Sequence, residues 1–271
     1  MSLPTPESRR IDIPTAYNLR GLGGLPVRDG VFRAGQVFRS AQLSDLSDGD
    51  LPGFEALDIA TVYDLRTAGE RSTQPDRLPG GMRVVVLDVL ADALSSAAAN
   101  SSLTSLIADP AQAQDLLGGG RAKELMIQSY RDIVNLPSAL RSYRAYFLDL
   151  ADPQRTGAAL FHCTTGKDRT GWAAASTLTF AGADRDTIYA DYLETNTDLL
   201  PMTQPMVDAA AAQGIDPDLL WPVLGVDRDY LDTAFAEVER AFGSFDGYLR
   251  QGLGLTDDVL AALTARLVTT G

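Results

Sequence analysis

The residues best equipped for chemistry in this 271-residue chain fall in one stretch, Phe161-His162-Cys163-Thr164-Thr165-Gly166-Lys167-Asp168-Arg169-Thr170-Gly171. It holds the only cysteine and the only histidine of the chain. Cys163 is a nucleophile by type. Arg169, six positions on, carries a planar guanidinium that can hold two oxygens of a tetrahedral anion at once. Gly166 between them permits the positive φ that lets a short loop curl until both face one ligand. The chemistry these types suit is cleavage of a phosphate monoester. Such an ester carries about −1.5 to −2 charges. Its hydrolysis needs an in-line nucleophile, a cage for three oxygens and a proton for the leaving group.

Magnitudes divide the work. A free thiol is only a few per cent thiolate at neutral pH, and full ionisation gains about 30-fold, or ~2 kcal/mol. Enzymatic accelerations demand ~8–23 kcal/mol. Most of the remainder must come from elsewhere, and Arg169 is the natural source, since its bonds to two equatorial oxygens can tighten as the charge redistributes. Lys167 adds positive charge at the mouth, and the Thr170 hydroxyl can donate to the sulfur. His162, adjacent to the nucleophile on a strand, points to the opposite face and is read as a support for the loop. Asp168 is either a proton donor and acceptor or a structural partner of the loop. Gly166-Lys167 is not an ATP-binding loop, because Phe161 and Asp168 stand where that motif needs Gly and Ser or Thr.

These side chains must be positioned by a strand, a tight loop and a helix. Ala158–Phe161 reads as a buried strand and Gly171–Leu178 as a helix, a geometry that presents backbone N–H groups to an anion. Upstream, Val31–Ala34 and Val37–Ser40 alternate like paired strands around Gly35, and Ala41–Leu57 carries a helical pattern. Thr61–Arg66 reads as a buried strand, and the β-branched run Val84–Val89 as a central one. Residues 91–120, low in complexity and with three successive glycines near their end, are expected to be a mobile insertion. Helices are expected over 121–134 and 138–150. After the loop, Asp184 caps a helix to about Thr195, Pro201 and Pro205 open a second one, and further helices cover 227–242 and 256–267. The segment 186–213 is expected to act as a helical lid. Strands before Cys163 and helices after it predict an α/β fold: a central, mostly parallel sheet flanked by helices, with a helical C-terminal third, in one domain over 1–271. Arg20, Arg39 and Arg66 are either surface arginines or lining of the anion site. Asp64, Asp88 and Asp92 are either strand-end caps or proton donors.

Composition excludes several classes. A single cysteine and a single histidine leave no internal disulfide, no cysteine-based zinc site and no histidine-rich metal site. A net charge of −13 argues against nucleic acid or an anionic membrane as a partner, and it obliges an anion site to make its own positive field. No apolar run reaches the ~18 residues of a membrane span. The N-terminal residues lack an apolar signal core, so the cytoplasm is the default expectation, with leaderless export leaving no mark.

The run His162-Cys163-x-x-Gly166-Lys167-Asp168-Arg169-Thr170-Gly171 resembles the signature of protein tyrosine phosphatases, and its Lys-Asp pair is similar to the bacterial, atypical dual-specificity branch. Asn18-Leu19-Arg20, Val37–Ser40, Asp64-Leu65-Arg66 and Asp186–Leu193 match family stretches in the same order. The resemblance implies a cysteinyl-phosphate mechanism with no metal or cofactor: Cys163 as nucleophile, Arg169 as clamp, and the backbone from Thr164 to Arg169 as cradle. It implies a phosphorylated protein or a phosphoinositide as substrate and inorganic phosphate as product. The Trp-Pro-Asp triplet that carries the proton donor in many tyrosine phosphatases is absent after Leu87. The donor therefore stays open among Asp168, which the Lys-Asp branch favours, Asp88 and Asp92.

Overall fold

The computed structural model describes residues 9–93 and 110–270. Its strands are β1 (Arg20–Gly21), β2 (Pro26–Val27), β3 (Gly30–Phe32), β4 (Val37–Ser40), β5 (Ile59–Asp64), β6 (Arg83–Val86), β7 (Ala158–His162) and β8 (Val268–Thr270). Its main helices are α1 (Leu51–Glu55), α2 (Ala68–Thr73), α3 (Pro110–Leu117), α4 (Arg121–Asn135), α5 (Pro137–Ala151), α6 (Arg169–Ala181), α7 (Arg185–Ala212), α8 (Trp221–Leu224), α9 (Arg228–Phe242) and α10 (Asp257–Leu267). Five strands form the main sheet in the order β1-β4-β7-β5-β6. β4, β7, β5 and β6 run parallel, and β1 is antiparallel to β4. The expected mostly parallel sheet flanked by helices is what forms.

β7 is the middle strand, and all five of its residues are buried. Its side chains alternate between layers, as a strand's must. Ala159 and Phe161 join the core that α4, α5, α6 and α9 cover, while Ala158 and Leu160 join a smaller core with Ile13, Leu43 and Phe54. A strand buried on both faces and paired on both edges is the most rigid platform the fold offers. The loop from Cys163 to Asp168 follows its C-terminal end, the side on which open α/β sheets place their ligands.

Four expectations change. The run Val84–Val89 is not central: β6 is the edge strand, with Val84 and Val86 about half exposed and only Val85 turned to the core. β-branched residues mark a strand but not its place in the order. Val31–Ala34 and Val37–Ser40 do not pair with each other. β3 joins β2 and β8 in a separate antiparallel sheet, while β4 pairs with β7. The helix expected over 41–57 shrinks to α1, because Thr15 and Ser47 hydroxyls bond to Asp50 and hold turns instead. Pro201 and Pro205 do not start a helix but lie inside α7. Of the insertion expected at 91–120, residues 94–109 lie outside the described residues, and 110–117 form α3. No helix among the described residues is long and apolar enough to cross a membrane.

Candidate active site

The loop between β7 and α6 is shaped by its carbonyls. The Thr164 carbonyl accepts the Gln42 N–H at 3.0 Å. The Thr165 and Gly166 carbonyls accept Asn18 Nδ2 at 3.1 and 3.0 Å, and Gly166 also accepts Arg39 Nη2 at 2.8 Å. In a planar trans peptide the C=O of one residue and the N–H of the next point opposite ways. Three carbonyls held outward therefore turn the N–H groups of Thr165, Gly166 and Lys167 inward. None of the N–H groups of residues 164–168 makes a hydrogen bond to the described protein. A row of orphaned donors is rare in folded chains and forms an anion-binding concavity. Gly166 sits at φ 70°, and a Cβ there would lie 2.3 Å from the Ser40 carbonyl oxygen. The predicted role of this glycine is thereby confirmed and extended: both the dihedral and the space forbid a side chain. α6 starts at Arg169 and aims its positive end at the same concavity.

Arg169 is anchored by a residue the sequence reading missed. Its Nη1 and Nη2 donate to the Glu70 carboxylate at 2.7 and 2.6 Å, and Nη1 also reaches the Leu65 carbonyl at 3.3 Å. Thr164 Oγ1 donates to the same carboxylate at 2.5 Å. Glu70 thus takes the end of the guanidinium fork, Nη2 also donates to Thr164 Oγ1 at 3.5 Å, and Nε on the side edge makes no hydrogen bond to the described residues, so that this edge can turn to a ligand's oxygens. Burial alone would raise the Glu70 pKa, but the hydrogen bonds and charge of Arg169 outweigh it and hold the carboxyl well below the usual range. On Arg169, burial acts downward but is outweighed by Glu70, Cys163 and Asp168, so its charge is secure. The signal for Glu70 was present in Thr67-x-x-Glu70. That pattern is a capping box, and it does cap α2, but it says nothing about a partner 99 residues away.

Cys163 lies at the base of the loop, 1% exposed. The Thr170 hydroxyl is buried with no hydrogen-bond partner, so no bond to the sulfur is formed in this state. His162 is turned away from the concavity. Its Nδ1 contacts the Cys163 carbonyl at 3.1 Å and its Nε2 lies 3.1 Å from Asp76 Oδ2. Burial pushes the Asp76 carboxyl up, but His162 and Arg66 outweigh it and bring it below its ordinary value. Asp64, Asp76 and His162 bring ligand atoms close enough to hold a metal ion. The positive charge among them is already Arg66, which pairs with Asp64 at 2.7 and 2.9 Å and with Asp76 at 2.7 Å. Asp64 is thus a structural partner of Arg66.

Lys167 is not at the mouth. It is 4% exposed, with Nζ 2.9 Å from Asp168 Oδ1. Asp168 also accepts the Tyr130 hydroxyl at 2.9 Å. Neither of the other candidate donors touches the loop: Asp88 accepts the Ala68 and Leu90 N–H groups, and Asp92 pairs with Arg141 at the surface. Arg20 and Arg39 are neither surface residues nor lining. Both are fully buried and meet α7, where Asp191 accepts Arg9 at 2.7 Å, Arg20 at 3.1 Å and Arg39 at 2.6 Å. Burial pushes Asp191 up, but the arginines dominate and hold it far below the carboxylate range. Burial, then the neighbouring Arg20 charge, lowers Arg39 to about 10. Through Arg39, this cluster fixes the Gly166 carbonyl. Further along α7, a cavity of about 530 Å³ opens between Asn196, Leu199, Thr203, Trp221 and Tyr230, and no residue of the 163–169 loop lines it.

The chain is also similar to known proteins. Residues 11–269 match the family model described as "Tyrosine phosphatase family". The chain is 33% identical over 242 residues to a putative tyrosine-protein phosphatase of Cupriavidus necator, covering 88% of this chain and 82% of that protein. It is 31% identical over 261 residues to the triple specificity protein phosphatase PtpB of Mycobacterium tuberculosis, covering 88% and 92%. A crystal structure of P. aeruginosa TpbA in complex with pTyr aligns at 17% identity and a TM-score of 0.32, covering 79% of this chain and 98% of that one. With a cradle of inward N–H groups around a lone cysteine, an anchored arginine and a family match over nearly its whole length, the chain belongs to the tyrosine phosphatase family, hydrolases that work through a cysteine nucleophile.

Proposed function

We propose that Cys163, Arg169 and Asp168 carry out the hydrolysis, with phosphotyrosine in proteins as the first substrate. Cys163 Sγ attacks phosphorus in line, an S–P bond forms and the ester P–O bond breaks. Asp168 gives its proton to the departing phenolate. A water then attacks phosphorus and passes its proton to Asp168, the S–P bond breaks, and thiolate and inorganic phosphate are released. The N–H groups of Thr164, Thr165, Gly166 and Lys167 and the side edge of Arg169 hold the three equatorial oxygens throughout. The unpartnered Thr170 hydroxyl is free to turn to the sulfur as thiolate charge returns. The observation that carries this reading is the set of outward-held carbonyls with unpaired N–H groups behind them.

Breadth beyond phosphotyrosine is supported by the likeness to a protein named for triple specificity. The buried Lys167–Asp168 pair limits it. A phosphoinositide with further phosphates must draw Lys167 away from Asp168 to use it. Cys163→Ser tests the mechanism: it should lose turnover of p-nitrophenyl phosphate by at least about 10³-fold while still binding phosphate. Steady hydrolysis by that variant would overturn the reading. A panel of phosphotyrosine peptide, phosphoserine peptide and phosphoinositide on the native protein measures the breadth.

A further inference from the structure

Asp168 is approached from several elements. Lys167, Arg169 and Cys163 belong to its own loop, and Glu70 lies beyond Arg169 on α2. Tyr130 comes from α4, Tyr192 from α7, Tyr230 from α9 and Tyr143 from α5. Only two of these groups bond to the carboxylate, and both choose one oxygen. Tyr130 Oη and Lys167 Nζ each lie 2.9 Å from Oδ1, and Oδ2 has no hydrogen-bond partner. Tyr130 has one hydroxyl hydrogen and gives it to Asp168, so the hydrogen between the Tyr130 and Tyr192 hydroxyls comes from Tyr192. A chain of donors runs from Tyr192 through Tyr130 to Oδ1. The Tyr130 ring is held edge-on to Tyr192 and against Tyr230, 5.6 Å between centroids.

We propose that Tyr130 is a positioning residue for Asp168: its hydroxyl fixes Oδ1, makes Oδ2 the oxygen that hands the proton to the leaving group, and sets the pH above which that proton is lost. The proposal rests on Asp168 being the donor. Burial, then the charge of Asp168, raises Tyr130 well above the ordinary tyrosine pKa, so it remains a donor throughout the working range. A donor to a carboxylate favours the charged form. The sign follows: removing the hydroxyl makes Asp168 hold its proton to higher pH.

The test is the pH profile of kcat/KM for Tyr130→Phe, which keeps the ring and removes the hydroxyl. Its alkaline limb should move up by about one pH unit, the worth of one hydrogen bond to a charged group, and its acid limb should stay. Tyr146→Phe is the control. It loses a buried hydroxyl contact to Thr177 remote from Asp168, so it shares the structural cost and should leave the limb in place. Asp168→Asn should abolish the alkaline limb and slow phenyl phosphate, a poor leaving group, more than p-nitrophenyl phosphate. If Asp168→Asn removes the limb and Tyr130→Phe leaves it unmoved, the role of Tyr130 is overturned and Asp168 stands as donor. If the limb persists in Asp168→Asn, the donor is another group and the proposal fails with it.

Discussion

Glu70 takes the end of the Arg169 guanidinium, and the proposed function gives the side edge to the ligand. Five N–H donors in a fixed fork are enough for both tasks, because a carboxylate on the end leaves the side edge free. An ammonium could not be shared this way. Glu70→Gln keeps the shape and removes the charge, so the fork loses about one charged hydrogen bond's worth of restraint. We expect kcat to fall about tenfold with phosphate affinity less affected, read by steady-state kinetics beside equilibrium phosphate binding. Unchanged kcat would mean that the loop alone holds Arg169. The pH dependence has a definite sign. Glu70 is depressed in the folded state, so its contribution is complete above the ordinary glutamate pKa of about 4.3 and is lost only as pH falls through the depressed value. The pair therefore does not shape the activity profile near neutrality.

At the scale of elements, β7, the loop and α6 form one unit, and Gly166 is its tightest point. Gly166→Ala places a Cβ against the Ser40 backbone at a positive φ, and backbone has no rotamer with which to escape. A loss of about 2–4 kcal/mol is expected in urea unfolding, with activity lost as well. A wild-type midpoint would refute the close approach. This unit was the most legible part of the sequence, because its residue types, spacing and flanking patterns all agree. Cys163, Arg169 and Gly166 could be placed before any coordinates. What surrounds the unit was not legible. Asn18 acts on it from the turn before β1, Arg39 from β4, Glu70 from α2 and Tyr130 from α4, and periodicity along a chain carries no record of contacts between distant segments. Strand order escaped for the same reason: β6 and β7 are both apolar runs, and only the crossovers decide which is central. Lys167 misled in a different way. Its charge was foreseen at the mouth, but a neighbouring Asp168 turned it inward.

For the whole molecule, the problem posed by a net charge of −13 is solved by cancellation. Arg9, Arg20 and Arg39 are matched by Asp191, Glu194 and Asp198, Arg169 by Glu70, and Lys167 by Asp168. The cations around the loop are mostly spent on carboxylates, so the field that draws an anion in comes largely from oriented peptide dipoles and the start of α6. The unpaired N–H groups of residues 164–168 then have a thermodynamic consequence. An oxyanion that settles among them binds the native chain and not the unfolded one, so it must shift the unfolding equilibrium. Inorganic phosphate at about 100 times its Kd should add about 2.7 kcal/mol and raise Tm by several degrees, in Cys163→Ser as in the native protein. In Arg169→Ala, which keeps the N–H cradle and loses the guanidinium, the increment should shrink but not vanish. The product of the proposed reaction is thus expected to stabilise the fold as well, so that the heat resistance of the protein should follow the phosphate in its surroundings.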